Sequence, residues 1–487
     1  MKGISLAKFY KDNVTFFDNF LAVLIVVSAI GFFYLNNLDG WKIDDDEGSF
    51  LYQAWRVSEG DVPYRDFMTS HWPLFSYTGA GWMRLFGTEV LPVRILAVFT
   101  ILGTAILVFL LAKEVASPKE ALISMVIFLF HPQIFYYGRL YYPEPFYLFF
   151  GTAGLLFFVK GQLSEKKSYL VISGLLFALA TLYKQLAVLF LGGCILFLVM
   201  TSLRKRNRQS QSIKSFLTLV APYGLLLGIV LGTIEWRIPQ FYQCVVKAQF
   251  MQGNELPWAT IIIKNMGFLV QYLFLFSSLF LLASPSIFQG WRGKGKVSLL
   301  AWQIPMMLIF LIFSRNLFAR LLIYLVPSLS ILFVMSISSI RKSQSCSYFY
   351  PIILAALLIP WTMQDVKVMK RTESDTEVVA QYVQNYMSEN EHLLSDYQEL
   401  NFYTHSPSTY SGAEISHVFT AGGVIKGTEL IAEIEERDVK MVLIDTHGDH
   451  MMSLVDYEIF RKYLLKHFEL LNVLPREWQQ IEIYYRR

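Results

Sequence analysis

Long apolar stretches recur along this chain, close enough together to leave room for little besides a bundle of membrane-crossing helices. A helix needs about 20 apolar residues to cross hydrocarbon. Candidate segments lie at roughly 17–37, 91–112, 120–138, 145–160, 169–183, 185–203, 215–235, 264–288, 298–314, 318–338 and 348–364. About eleven spans result. The pairs flanking Glu144 and Lys184 are joined by very short turns. Of the 487 residues, 54% are hydrophobic and only 16% charged, where a soluble chain carries about 25% charged residues. Aromatic residues make up another 16%, a density that suits lipid contact and membrane-interface belts. The expected fold is an all-α polytopic membrane domain over residues 1–364, followed by a small α/β domain over 365–487.

The placement of Lys and Arg predicts an orientation. With a cytoplasmic N-terminus, the basic loops fall on one side: Lys113 and Lys119; Lys160, Lys166 and Lys167; Arg204 to Lys214; Arg292 to Lys296; Arg341 and Lys342. The loop over 39–90, Glu144, the 236–263 loop and the C-terminal region then share the other, non-cytoplasmic side. The N-terminal apolar segment lacks a small-residue cleavage site and reads as a retained span. The basic runs are short and lie between apolar spans, so nucleic acid is not an expected partner, whereas membrane lipids are. The three cysteines fit no metal site and no evident pairing.

Residues 39–90 are too polar to cross, and the segment from Phe75 to Phe86 reads as an interfacial helix. Beyond about residue 365 charges return. Helices are expected over Glu377–Met387, Thr428–Arg437 and Tyr457–His467, and strands over Lys440–Asp445 and Ile481–Tyr485. About 120 residues suffice for one small α/β domain. No Gly-rich phosphate loop occurs in it, so a scaffold or acceptor-guiding role is the expectation.

The ionisable residues beside the apolar runs are the candidates for chemistry. Asp44, Asp45, Asp46 and Glu47 follow the first span in succession, and contiguous acids repel one another unless a cation or a proton relieves them. Pro143 and Pro145 bracket Glu144 and interrupt the helical pattern there. Lys184, Arg315 and Arg320 lie on the side where positive charge is not expected, in apolar settings that call for an anionic partner. A lipid phosphate is the obvious one, because the guanidinium fork matches phosphate oxygens. The bland reading for each is snorkelling to headgroups. His71 stands alone, without a second His at ligand spacing, so zinc is not expected.

Asp46-Glu47-Gly48-Ser49-Phe50 after the first span resembles the Asp-Glu motif of the polytopic lipid-linked sugar transferases, the GT-C class. Gly60-Asp61-Val62-Pro63-Tyr64-Arg65-Asp66-Phe67, then Pro73-Leu74 and Leu85-Phe86-Gly87, is similar to the first-loop signature of the bacterial branch related to protein O-mannosyltransferases and lipid A aminoarabinose transferases. Arg139 with Glu144, the segment Thr181 to Gln185, and Arg320 through Pro327 look like later motifs of that family. The resemblance covers roughly residues 15–340. Aminoarabinose transferases carry a Lys just before the proline of the first-loop segment; this chain has Ser70-His71-Trp72, which leaves His71 in that place.

The resemblance implies a polyprenyl-phosphate sugar donor, inverting transfer to a hydroxyl of a glycan, lipid or protein acceptor, and a non-cytoplasmic active site in a bacterial plasma membrane. Such a donor leaves as a weakly basic phosphate, so no general acid is needed, unlike glycoside hydrolysis. One carboxylate must take the acceptor proton, and cations must stabilise the departing phosphate. Asp46 fits the first role. Lys184, Arg315 and Arg320 fit the second, and Glu47 and Glu144 are candidates to hold sugar or acceptor hydroxyls. Tyr64, Arg65, His71 and Arg139 join the substrate-binding set through the motifs that contain them. No cofactor is expected. A divalent cation, Mg²⁺ or Mn²⁺, remains an alternative for the acid run, as in a metal-dependent oligosaccharide transferase. A transporter or flippase is the other rival, against which stand the lack of an internal repeat and the interfacial position of the acids.

Overall fold

The computed structural model describes residues 22–40, 43, 45–204, 209–247, 257–275, 277–314, 319–341, 349–370, 375–476 and 479–487. Among these, six helices are long and apolar enough to cross a membrane: Val90–Val115, Pro143–Ser164, Gln185–Arg204, Gln209–Arg237, Arg320–Ser339 and Ile352–Met369. Pro118–Leu129 and Pro132–Gly138 make a seventh if their 62° bend is a broken span, and Ala22–Leu35, Lys167–Tyr183 and Ser298–Ile312 are shorter apolar helices. The expected span at 120–138 is therefore bent, because Pro132 has no N–H to continue the first helix and starts a new one. The expected span at 264–288 is helical over its described residues, within Trp258–Leu275 and Ser277–Trp291. Each of the eleven expected segments carries helix among the described residues, and six or seven of them are long and apolar enough to cross a membrane by length and composition.

Local sequence accounts for several ends. Ser117 accepts from the Glu120 backbone N–H at 3.4 Å while the Glu120 carboxylate takes the Ser117 N–H at 2.8 Å, a reciprocal capping box with Pro118 at the first helical position. Helix Lys167–Tyr183 packs against Gln209–Arg237 through Gly174, where a Cβ would stand 2.2 Å from the Leu219 carbonyl oxygen. Small residues allow such close backbone approach in membrane bundles. Gln209–Arg237 leaves Leu217, Leu225 and Ile229 exposed, as expected of a helix whose outer face meets lipid.

The first loop forms two helices, Asp45–Glu59 and Pro73–Phe86. The last apolar helix, Phe349–Met369, runs five residues beyond position 364. The C-terminal unit carries a four-stranded sheet: β1 Leu393–Ser395, β2 Met441–Asp445, β3 Phe468–Arg476 and β4 Gln479–Arg486, in the order β1-β2-β4-β3. β1 and β2 are parallel; β4 is antiparallel to both β2 and β3. β2 is buried on both faces, and its side chains alternate between two cores. Val442 and Ile444 pack with Leu430, Ile434 and Phe460. Met441 and Leu443 pack with Val379, Val383 and Leu400. The helices at 376–384, 427–436 and 457–467 lie close to the expected ones, whereas β1 and β3 have no counterpart in the sequence reading.

This C-terminal unit is locked onto the first loop. Met68 N–H donates to the Tyr410 carbonyl at 2.9 Å, and Ser408 N–H to the Tyr52 hydroxyl at 2.8 Å. Gly48 sits so close to helix Gln398–Thr404 that a Cβ there would stand 2.5 Å from Glu399 Cβ.

Candidate functional site

A cavity of about 730 Å³ lies between the membrane helices, the first loop and the C-terminal unit. That is the size of pockets that hold a small ligand. Asp46, His71, Lys184 and Arg320 line it together. Residues 46, 71, 184 and 320 are thus gathered at one place from four separate regions of the chain.

Each is positioned by a break in regular structure. Asp46 sits in the first turn of Asp45–Glu59 and opens to the cavity. Lys184 ends helix Lys167–Tyr183 in extended backbone, φ −157°, before the short 3-10 turn Gln185–Ala187. Arg320 begins the 3-10 segment Ala319–Leu325. Glu144 lies in the first turn of Pro143–Ser164, where the helix dipole favours a negative charge.

These four side chains form one ion network. Arg320 pairs with Asp46, and Lys184 pairs with Glu144. Arg320 Nε also stands 4.0 Å from Glu144 Oε1, and its guanidinium lies 5.6 Å from the Tyr142 ring centroid. Glu144 is buried behind both cations. Burial works against the Asp46 charge, yet Arg320, aided by Lys184, holds its carboxyl below the usual value. The opposite holds for His71, 3.6 Å from Glu414: burial and the facing Lys184 push its imidazole down to about 3, so it is a neutral hydrogen-bonding group.

The remaining expected site residues lie elsewhere. Glu47 is sealed in the core, its two oxygens accepting from Arg94 Nε at 2.9 Å and Nη2 at 2.6 Å, with the Tyr141 N–H at 2.8 Å. It does not line the cavity, so it braces the first loop instead of holding a sugar. Arg139 is fully buried, donates to the Asn36 carbonyl and packs over Phe135. Tyr64, at φ +71°, donates its hydroxyl to the His71 carbonyl at 2.7 Å. It shapes the His71 loop from outside the cavity. Arg65 is exposed and pairs with Asp66 at 2.6 Å. Arg315 lies outside the described residues.

The C-terminal unit supplies a wall that no sequence motif announced. Glu414, Asp396, Tyr397 and His450 all line the cavity. Glu414 accepts from Ser70 Oγ at 2.6 Å and from Gln53 Nε2 at 3.0 Å. Burial raises its carboxyl to about 7, against the pull of the Ser70 hydrogen bonds. Among the described residues no three His, Cys, Asp or Glu side chains come together as a metal-holding group.

Residues 70–227 match the model of the family described as dolichyl-phosphate-mannose-protein mannosyltransferase. Comparison with curated proteins gives no match. The fold is similar to that of ArnT from Cupriavidus metallidurans, solved bound to undecaprenyl phosphate, at TM-score 0.66 and 12% identity, covering 95% of this chain and 97% of that one. The apo form of the same protein gives TM-score 0.64 at 12% identity, with the same coverage of 95% and 97%. The archaeal oligosaccharyltransferase AglB from Archaeoglobus fulgidus, in complex with an inhibitory peptide and a dolichol-phosphate, gives TM-score 0.56 at 13% identity, covering 88% of this chain and 69% of that one.

Proposed function

We propose that this chain, whose residues 70–227 match the mannosyltransferase family model and whose fold is similar to that of ArnT, is a GT-C class glycosyltransferase that moves a sugar from a polyprenyl-phosphate donor to an acceptor hydroxyl with inversion, at the non-cytoplasmic face of a bacterial plasma membrane. One observation carries this reading: the carboxylate of Asp46 and the cations of Lys184 and Arg320 line one cavity. A base for the acceptor and a clamp for the leaving phosphate are the two parts the reaction needs. The bond from the anomeric carbon to the phosphate oxygen breaks, and its electron pair stays with the phosphate. The acceptor oxygen bonds to that carbon from the opposite side, and its proton passes to Asp46. Lys184 and Arg320 balance the charge that develops on the leaving oxygen.

Glu144 acts as an anionic strut that aims both cations, given its burial behind them. His71, being neutral, offers a hydrogen bond in place of a charge. An arriving phosphate competes with Asp46 for Arg320, so donor binding frees the carboxylate and raises its basicity at the moment a base is needed.

Arg320→Ala is expected to weaken undecaprenyl-phosphate binding about 10- to 100-fold, the scale of a lost charge-assisted hydrogen bond. Titration of the carrier lipid into protein in nanodiscs measures this, and unchanged affinity would remove Arg320 from the clamp. The same reading expects turnover to persist in excess EDTA, because fixed cations hold the phosphate. Complete loss that Mg²⁺ or Mn²⁺ restores would favour the metal-dependent alternative. Carrier flux across vesicles without bond cleavage would favour transport.

A further inference from the structure

The two halves of the cavity carry different charge. Lys184 and Arg320, the cations among its lining residues, both belong to the membrane half. The C-terminal half contributes the carboxyl groups of Glu414 and Asp396 with the rings of Tyr397, Phe419 and His450 and, among the described residues, no Lys or Arg. From this segregation we propose that the C-terminal wall is the acceptor subsite, and that it takes a neutral carbohydrate chain in preference to a phosphate-bearing acceptor. The proposal deepens the transferase reading and rests on it, since that reading assigns the cationic half to the donor.

Several features of the wall support a polyhydroxyl ligand. Asp396 and Tyr397 directly follow β1, and His450 belongs to the connection after β2. The subsite therefore sits at the carboxyl ends of the parallel strand pair, where open α/β sheets bind ligands. Asp396 is held rigidly, with the Asp445 N–H on one oxygen at 2.7 Å and the Met451 N–H on the other at 2.9 Å. Glu414 is only 7% exposed and spends three of its roughly four acceptor positions on the Ser70 hydroxyl, the Ser70 backbone and Gln53. A carboxyl fixed in this way and facing a cavity can take a sugar hydroxyl. Tyr397, Phe419 and Trp72 add apolar ring surface for the C–H face of a sugar. A phosphate on the acceptor would instead meet carboxyl groups with no cation on that wall to neutralise it.

A peptide acceptor fits less well. Strand addition needs an open sheet edge, and the outer edge of β1 is already taken. The Leu393 N–H donates to the Pro407 carbonyl at 3.0 Å, and Asn401 Nδ2 caps the Leu393 carbonyl at 2.8 Å. Glu414 and Asp46 are close enough for their charges to interact, with His71 facing both. A hydroxyl held at Glu414 therefore lies on the side of the cavity from which Asp46 takes its proton.

The test uses the full chain in nanodiscs preloaded with undecaprenyl phosphate. Binding of maltotriose, mannotriose and chitotriose, of glucose 6-phosphate, and of a Ser/Thr-rich peptide is measured calorimetrically. At least one neutral trisaccharide is expected to bind, and more tightly than the sugar phosphate or the peptide. Glu414→Gln is expected to weaken that binding at least about tenfold while undecaprenyl-phosphate affinity stays within about twofold, as for a group that does not meet the phosphate. Tighter binding of the phosphate or the peptide, no trisaccharide binding, or unchanged affinity in Glu414→Gln would overturn the proposal. Failure of the wild type to bind undecaprenyl phosphate would instead overturn the donor reading. Should Glu414→Gln not fold, Ser416→Arg decides. Ser416 is half-buried on the cavity wall and makes no side-chain cap, so an arginine there is expected to create glucose 6-phosphate binding, and no gain overturns the charge argument.

Discussion

Asp46→Asn is expected to lower sugar transfer by at least about 10²-fold, the scale of general-base catalysis, while undecaprenyl phosphate binds as tightly as before or more tightly. The second half of this expectation separates a base from a mere contact. Asp46 pairs with Arg320, so on the proposed reading a lipid phosphate displaces it. Asparagine keeps the size and a hydrogen-bond acceptor but gives up the charge that competes with the phosphate. Single-turnover release of lipid phosphate, read beside equilibrium binding of the carrier, measures both halves. A parallel fall in both would make Asp46 a binding residue, and unchanged turnover would remove it from the chemistry. Arg320 and Lys184 hold the Asp46 carboxyl low, so it stays ionised through neutral and mildly acidic pH and loses its charge only as pH falls through that lowered value. A change in donor binding near neutrality must therefore come from another group. Glu414, at about 7 and faced by His71, Asp46, Tyr64 and Cys244, is one such group in the same cavity.

The largest stability effect is expected at the neighbouring acid. Glu47 and Arg94 are both fully buried, with 0% exposure of either side chain. Removing one partner leaves an uncompensated charge in the core, which costs about 3–5 kcal/mol. That is a large part of the 5–15 kcal/mol by which folded domains are typically stable. Glu47→Ala and Arg94→Ala are therefore expected to lose most folded protein, read as a lowered Tm in detergent or as loss of monodisperse material. The double change Glu47→Leu with Arg94→Met should fall between these and the wild type. It removes both charges but strands the Tyr141 N–H and the Leu38 carbonyl, which Arg94 Nη1 meets at 2.8 Å, at about 1–3 kcal/mol each. A double variant no better than the singles would mean that the packing around these side chains, and not their charge, sets the loss.

Asp46 and Glu47 also show where sequence reasoning stops. Contiguity suggested one cluster facing one site. On a helix, successive residues point about 100° apart, so one acid opens to the cavity and the next enters the core. Nothing local marks the difference, because the partner of Glu47 is Arg94, hidden near the start of an apolar segment. Lys184 and Arg320 were legible because a charge in an apolar setting needs a reason wherever it lies. Glu144 was legible from the prolines beside it. Glu414 was not: its partner Ser70 is 344 residues away in sequence, and a single Glu in Ser-Gly-Ala-Glu-Ile carries no local signal. The apolar runs themselves were clear, but hydropathy does not say where a run breaks, as at the 62° bend before Pro132.

The sheet of the C-terminal unit has two cores of its own, one on either side of β2, and it meets the cavity chiefly through connections that leave its strand ends. Such connections can change length and chemistry without disturbing the layers beneath them. The membrane helices then work as a fixed chassis and the strand-end loops as an exchangeable tool head. Proteins built on the same plan would be expected to diverge first in these loops and last in the helices beneath them.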